Sequence, residues 1–252
     1  MSFEVSADSY ARFIGRFSEP LAEQFAAGAR LTRGDRVLDV GCGPGALTAQ
    51  LVERLGAAAV SAVDPSPPFV DAVRARLAGV DVRLATAEDL PFADDGFDAA
   101  LAQLVVHFMT DPVAGLAEMR RVTRPGGLVG ACVWDHGGGG SPLDVFWQAV
   151  RDTDPSVDDE SGLAGAREGH LAELCQAAGL ASVESTSLSV TVPFATLEEW
   201  WGMFTLGVGP AGAYVAGLDE SRRELLRGRC AQLLPHPPFR VEGSAWCVWA
   251  RA

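Results

Sequence analysis

Val37-Leu38-Asp39-Val40-Gly41-Cys42-Gly43-Pro44-Gly45-Ala46-Leu47-Thr48 runs an apolar strand straight into a glycine cluster and out again into a helix. Such a backbone is shaped to touch a ligand. Glycine lacks a Cβ, so Gly41, Gly43 and Gly45 can take positive φ and bring main-chain N–H groups within contact distance of a bound molecule. Asp39 stands two residues before the first glycine, at the carboxyl end of the strand. A carboxylate there suits a ligand carrying an ammonium group better than one carrying phosphate.

Outward from this stretch, strand and helix signals alternate from about residue 20 to residue 134, the pattern of βαβ units on a parallel sheet. Ser18 is placed to cap a helix carrying Leu21, Ala22, Phe25 and Ala29, and strand one follows at residues 36–40. Leu47, Leu51, Val52 and Leu55 fall on one face of the next helix. Strand two spans 58–63 and ends on Asp64, after which Ser66-Pro67 opens a helix; strands three and four occupy 80–84 and 97–102. Asp111-Pro112 starts a further helix, and residues 124–127, Arg-Pro-Gly-Gly, break it before strand five at 128–134. The glycine-rich run from His136 to Pro142 reads as a hinge. A core helix at 167–179, a sixth strand at 181–192 and a final strand at 244–250 complete the layout. Thr196-Leu197-Glu198-Glu199 matches a capping box, putting Trp200, Trp201 and Phe204 on a helix over the sheet's carboxyl edge.

With 252 residues and 48% hydrophobic content the chain can bury a full α/β core. Its formal net charge of −13 disfavours nucleic acid and anionic membrane surfaces as partners and leaves a small-molecule substrate as the expected one. All 20 of its basic residues are arginine. The absence of lysine excludes a pyridoxal Schiff base, a Walker-type phosphate loop and a Tyr-x-x-x-Lys proton relay. Cys42, Cys132, Cys175, Cys230 and Cys247 are odd in number and scattered, so they read as buried thiols with no disulfide framework and no metal site. The first residues lack a basic start and a long apolar run, and a cytoplasmic protein is expected.

At its glycine loop the chain resembles the class I S-adenosylmethionine (SAM) dependent methyltransferases, whose first motif reads acidic-x-Gly-x-Gly-x-Gly after a strand. Ala85-Thr86-Ala87-Glu88-Asp89-Leu90-Pro91-Phe92, before Phe97-Asp98-Ala99-Ala100, is similar to the loop that follows strand three in that family. The resemblance covers roughly residues 10–135. It implies an α/β, Rossmann-like, seven-stranded and mostly parallel sheet with an antiparallel last strand and helices on both faces, and a helical cap between the last two strands. The division it suggests is a leader at 1–30 closing over the cofactor, a SAM-binding core at 31–135, and a hinge and cap segment at 136–166. A core helix and strand six follow at 167–192, a cap insertion at 193–240 and the last strand at 241–252.

Carried onto this sequence, the resemblance implies that Asp39, Gly41, Cys42 and Gly43 hold the amino-acid end of SAM and that Asp64 accepts hydrogen bonds from both ribose hydroxyls. Pro65 and Phe69 would flank the adenine, and Ala87 with Glu88 or Asp89 would meet its exocyclic amine and ring nitrogen. Gln103 and Leu104 would approach the sulfonium and its methyl. Tyr10 and Gly15-Arg16-Phe17-Ser18 resemble a leader that closes over the cofactor, with Arg16 pairing its carboxylate. Methyl transfer is an in-line displacement that mainly needs alignment and exclusion of water, leaving S-adenosylhomocysteine as product. For a hydroxyl or protonated amine acceptor, whose acceptor atom (O, N or C) the sequence leaves open, His107 is the candidate base and His136 the second. Trp134, Trp200 and Phe204, with His136, are candidate walls of an acceptor pocket.

Each assignment has a plainer counterpart: Asp64 as a helix cap, Glu88 and Asp89 as solvated acids, His107 as a packed core residue, the cap tryptophans as the cap's own core. Gly41-x-Gly43-x-x-Ala46 with Asp64 about 20 residues on also fits a dinucleotide fingerprint. An NAD(P)-dependent oxidoreductase is therefore the competing reading, and a catalytically inactive SAM-binding or interaction protein the third.

Overall fold

The computed structural model describes residues 11–252. Its centre is a seven-stranded sheet in the order β3-β2-β1-β4-β5-β7-β6. β1 is Val37–Val40, β2 Val60–Asp64, β3 Asp81–Leu84, β4 Phe97–Gln103, β5 Thr123–Trp134, β6 Ala181–Phe194 and β7 Phe239–Arg251. β1 lies parallel to both β2 and β4, with Val37 opposite Val60 on one side and Ala99 on the other. β7 inserts antiparallel between β5 and β6, Cys132 pairing with Cys247 and Thr186 with Cys247 across its two edges. The expected antiparallel last strand is present, and the strand order reverses between β1 and β4.

Alternation along the central strands divides the core into two layers. Val37, Ala99, Leu101 and Cys132 face one layer, and Leu38, Ala100, Ala102 and Ala131 face the other. The first is covered by α1 (Arg16–Gly28), α2 (Ala46–Leu55) and α5 (Asp144–Thr153), and the second by α4 (Pro112–Val122) and α6 (His170–Ala177). α3 (Pro67–Arg76) closes a smaller cluster through Val70 and Val73 against Ala62 and Val82. The cap between β6 and β7 consists of α7 (Leu197–Trp201), α8 (Gly209–Gly217) and α9 (Glu220–Leu233). Gly130 of β5 makes room for the last strand: a Cβ there would come within 2.5 Å of the Trp249 ring, which stacks on Phe25 of α1 at 4.9 Å between centroids.

Several boundaries differ from the sequence reading for physical reasons. Ser18 does not cap α1, because a π-helical turn, Ala11–Gly15, precedes the helix and places Ser18 inside it, buried. Residues 124–127 do not delay strand five; β5 starts at Thr123, opposite Phe97, and the Pro-Gly-Gly stretch loops out before pairing resumes at Leu128 opposite Ala99. Asp111 does cap α4, accepting from the N–H groups of Val113 and Ala114, and Thr196 caps α7 by accepting from Glu199 N–H at 3.1 Å. The glycine run after Trp134 is folded into hydrogen bonds: Asp135 accepts from Gly138 N–H and from the Trp246 indole, and Ser244 N–H donates to the Gly140 carbonyl. Among the described residues no helix is long and apolar enough to cross a membrane.

Candidate active site

In open α/β sheets a ligand sits beyond the carboxyl ends of the strands where their order reverses. There the structure holds a crevice of about 480 Å³. β1 delivers the glycine loop to it. The N–H groups of Gly41 and Cys42 both donate to the Val63 carbonyl, at 2.8 and 2.9 Å, which bends the chain away from the sheet. Gly41 at φ +72° and Gly43 at φ +52° use the left-handed region, and both line the crevice. A Cβ on Gly41 would come within 2.5 Å of the Val105 methyls, so that position requires glycine on two grounds.

β2 delivers Asp64. Its Oδ2 accepts from Gly43 N–H and its Oδ1 from Ser66 N–H, each at 2.8 Å. Burial raises its pKa, and those two N–H groups oppose the rise. An ionised carboxylate has about four lone-pair sites, so Asp64 retains acceptor capacity toward the crevice while acting as a backbone tie. Pro65 and Phe69 line the same wall. After β3, Ala87 and Glu88 form the next wall, and no backbone hydrogen bond engages either of their N–H groups among the described residues. Glu88 is braced by the Thr110 N–H, which donates to its Oε1 at 2.7 Å.

β4 ends on Gln103 and Leu104, which line the floor. The Gln103 amide donates to the Ser18 carbonyl at 2.9 Å, and its Oε1 is buried with no partner. Leu104 sits at φ +60°, unusual for a branched residue, pinned by its N–H donating to the Cys132 carbonyl at 2.8 Å. The sequence carries no signal for that conformation.

Other expected residues lie elsewhere. Asp39 is 1% exposed beneath the glycine loop and does not line the crevice; Thr48 donates to its Oδ2 at 2.6 Å. Burial raises Asp39 to about 7, with the Thr48 hydrogen bond opposing and the Asp64 charge adding to the rise. Cys42 turns its side chain into the cluster under α3, leaving only its backbone to the loop. Asp89 is exposed and stands outside the lining. Arg16 is held by the cap, donating to Glu199 at 2.6 Å and to the Pro193 carbonyl at 2.7 Å, with its guanidinium over Phe194; it does not reach the crevice. Tyr10 lies outside the described residues. Trp200 and Phe204 are fully buried, their ring centroids 4.7 Å apart, and Phe204 stacks on Phe146 at 4.3 Å; they are the core of the cap and line neither space.

A second, smaller chamber adjoins the crevice and gathers Trp134, His136 and His107. Glu160 shares it, accepting from the Trp147 indole at 2.7 Å, and burial raises its carboxyl to about 7. Glu160 was invisible to sequence reasoning, because it sits in an ordinary acidic stretch. Phe108, which lines both spaces, follows His107 directly in the sequence.

The residues that close the crevice fit a SAM molecule: a glycine loop open to close approach, a carboxylate with spare acceptor sites, unengaged N–H groups and an unpartnered buried carbonyl oxygen. Comparison with known proteins points the same way. A family model described as a methyltransferase domain matches residues 38–130. An uncharacterized methyltransferase of Mycobacterium tuberculosis is 45% identical over 100 residues, 40% of this chain and 40% of its own length. The chain thus matches less than half the length of that relative. Among solved structures, a SAM-dependent methyltransferase from Thermotoga maritima superposes with a TM-score of 0.58 at 20% identity, covering 97% of this chain and 94% of that one. A phosphoethanolamine N-methyltransferase of Haemonchus contortus, solved with phosphomonomethylethanolamine and S-adenosylhomocysteine, gives 0.59 at 16% identity over 97% of this chain and 56% of that one. Residues 38–130 thus match the methyltransferase-domain model, and they are carried on a Rossmann-like sheet shared with these solved structures.

Proposed function

We propose that the crevice binds SAM and that the protein transfers its methyl group to a small-molecule acceptor. The observation that carries this reading is the convergence of the glycine loop, Asp64 and Gln103-Leu104 on one crevice at the ends of β1, β2 and β4. When bound, SAM supplies an electrophilic methyl on a sulfonium, and S-adenosylhomocysteine is left. The chain's own part is to bind, orient and keep out water.

Asp64 accepts from the ribose hydroxyls with the lone pairs its two backbone ties leave free. Phe69 and Pro65 give the adenine an apolar face, and the N–H groups of Ala87 and Glu88 meet its ring edge. Gly41 and Gly43 let the backbone approach the amino-acid end, where the Gln103 oxygen accepts from its ammonium. Asp39 acts from beneath the loop, its charge reaching that ammonium through the field rather than by contact. Leu104 and Phe108 form the apolar partition beside the transferring methyl. A cytoplasmic setting is supported by five cysteines buried as free thiols, and a small-molecule partner by the net charge of −13.

Isothermal titration should show S-adenosylhomocysteine binding that Asp64→Ala weakens at least about tenfold, and thermal shift should rank SAM above NAD and NADP. Stabilisation by a nicotinamide cofactor alone, or an unaltered affinity in Asp64→Ala, would remove the proposal.

A further inference from the structure

The smaller chamber, about 40 Å³, lies behind Leu104 and Phe108, which line it and the crevice alike. Leu143 and Glu160, flanking α5, line it too, and further walls come from three other parts of the chain. Phe13 and Ile14 come from the turn before α1, Val208 and Pro210 from the cap, and Trp134 and His136 from the end of β5. Four polar atoms there are buried and unpartnered among the described residues: Nδ1 of His107, both ring nitrogens of His136 and the Trp134 Nε1. The two imidazoles stand 6.0 Å apart between centroids. A buried polar atom left unpaired costs about 1–3 kcal/mol, so four on three residues that line one chamber are not a packing accident a fold readily carries. They are what a site looks like when its ligand supplies the missing partners.

The charge of the site limits the ligand. Among the described residues no arginine lines the chamber, so an anionic group would enter without a counterion. Burial, and then the neighbouring His136, push His107 well below the ordinary histidine range; burial also lowers His136 to about 4 against the opposing charge of Asp159. Asp159 is itself engaged by Arg151 and Ser161, and Glu160 by Trp147. Both imidazoles are therefore neutral at neutral pH. Each then offers one donor and one acceptor, and the indole offers a donor. A hydroxyl, which donates once and accepts twice, matches that set.

We infer that this chamber is the acceptor subsite and receives the hydroxyl end of an uncharged small molecule, held between the His107–His136 pair and the Trp134 indole. The inference rests on the methyltransferase reading above and adds the chemical class of the acceptor. The space holds roughly three water-sized groups, enough for the hydroxyl and the carbon that bears it, with the rest of the acceptor against the apolar partition. On transfer, the hydroxyl proton passes to an imidazole nitrogen as its oxygen bonds to the methyl carbon. The bond from that carbon to sulfur breaks, with its electron pair remaining on sulfur. Because the leader and the cap both contribute walls, acceptor choice depends on segments outside the 38–130 core as well as on His107 within it.

Phenol, benzoate and toluene form a probe series of similar size that differs in charge and hydrogen bonding. Histidine ring-nitrogen NMR should show phenol shifting His107 and His136 saturably while His170 and His236 stay still, with benzoate and toluene each binding at least about tenfold more weakly. His136→Phe should abolish the phenol effect on His107, and His136→Asn, which keeps a donor and an acceptor, should restore part of it. S-adenosylhomocysteine affinity should stay within about twofold in both variants. Unmoved His107 and His136 signals, benzoate binding as well as phenol, or phenol binding unchanged in both variants would overturn the subsite. Homocysteine-nucleoside binding in the wild type with no phenol response sinks the subsite alone. Absence of that binding sinks the donor reading and the acceptor role with it.

Discussion

The Thr48 hydroxyl donates to the Asp39 carboxylate at 2.6 Å beneath the glycine loop, tying the end of β1 to the first turn of α2. That bond is the counterweight to a burial that lifts Asp39 from 3.8 to about 7. The folded pKa lies above the unfolded one, so the native state holds a proton that the unfolded chain releases between about pH 4 and pH 7. Stability is lost across that window as pH rises and is flat beyond it. Asp39→Asn cannot ionise and can still accept from Thr48. It should be more stable than the parent at pH 8, by on the order of 2–4 kcal/mol, with the gap closing toward pH 4. Urea unfolding at the two pH values measures this, and an equal or lower stability of the variant at pH 8 contradicts it. On the proposed function the same variant should also bind SAM more weakly, since it removes a charge that would act on the ammonium through the field.

Gly41→Ala meets two separate penalties. Its φ of +72° costs an L-residue about 1–2 kcal/mol, and its Cβ would run into Val105 at 2.5 Å. Overpacking of that kind adds about 1–3 kcal/mol. Adding Val105→Ala should recover most of the steric part, its Cβ remaining at 3.0 Å, and leave the backbone part, so the double variant should fall between the single variant and the parent. Denaturant midpoints at constant m read this directly; a double variant no more stable than Gly41→Ala would mean that the contact with Val105 does not matter.

The fold was legible where local chemistry agreed with tertiary demand. Asp111-Pro112 and Thr196 through Glu199 fold as their caps dictate, and Val37 through Val40 read as a strand that is buried throughout. Ser18 failed because the turn before it is set by burial of Phe13 and Ile14 against the cap, a contact that no local window contains. Residues 124–127 failed because the Thr123–Phe97 pairing across the sheet outweighs the local breaker. Asp64, Gly41 and Gly43 line the crevice as their spacing implies, because the ends of β1 and β2 fix where their backbone lies. Arg16, Trp200 and Phe204 were misplaced, since which way a side chain turns depends on partners more than 100 positions away or on a cap whose packing leaves no period in the sequence.

Arg16 gives the sharpest test of that difference. It pairs with Glu199 while each side chain keeps more than a third of its surface exposed, 36% and 39%. An ion pair so open to solvent contributes roughly 0.2–1 kcal/mol. Arg16→Ala should therefore lower the melting temperature only slightly and leave S-adenosylhomocysteine affinity within about twofold, because the guanidinium is turned to the cap. A loss of tenfold or more in titration would restore the expectation that Arg16 meets the cofactor's carboxylate.

Gln103 is the opposite case, a crevice-lining side chain whose amide nitrogen is engaged by the fold while its oxygen is not. Its amide nitrogen holds the Ser18 carbonyl at 2.9 Å, fixing α1 to the end of β4, while its Oε1 is buried without a partner at the crevice floor. Gln103→Met keeps length and volume but removes both functions, and Gln103→Glu keeps an acceptor while removing the donor to Ser18. If the ammonium of the donor's amino-acid end is the missing partner, Met should weaken S-adenosylhomocysteine binding by about 10- to 150-fold, the worth of a hydrogen bond to a charged group. Glu should bind at least as well as the parent, although it is the less stable fold, since its carboxylate faces the Ser18 carbonyl. Affinities from titration and midpoints from thermal melts separate the two roles. Equal affinity in Met and parent would show that the Gln103 oxygen is not aimed at the ligand.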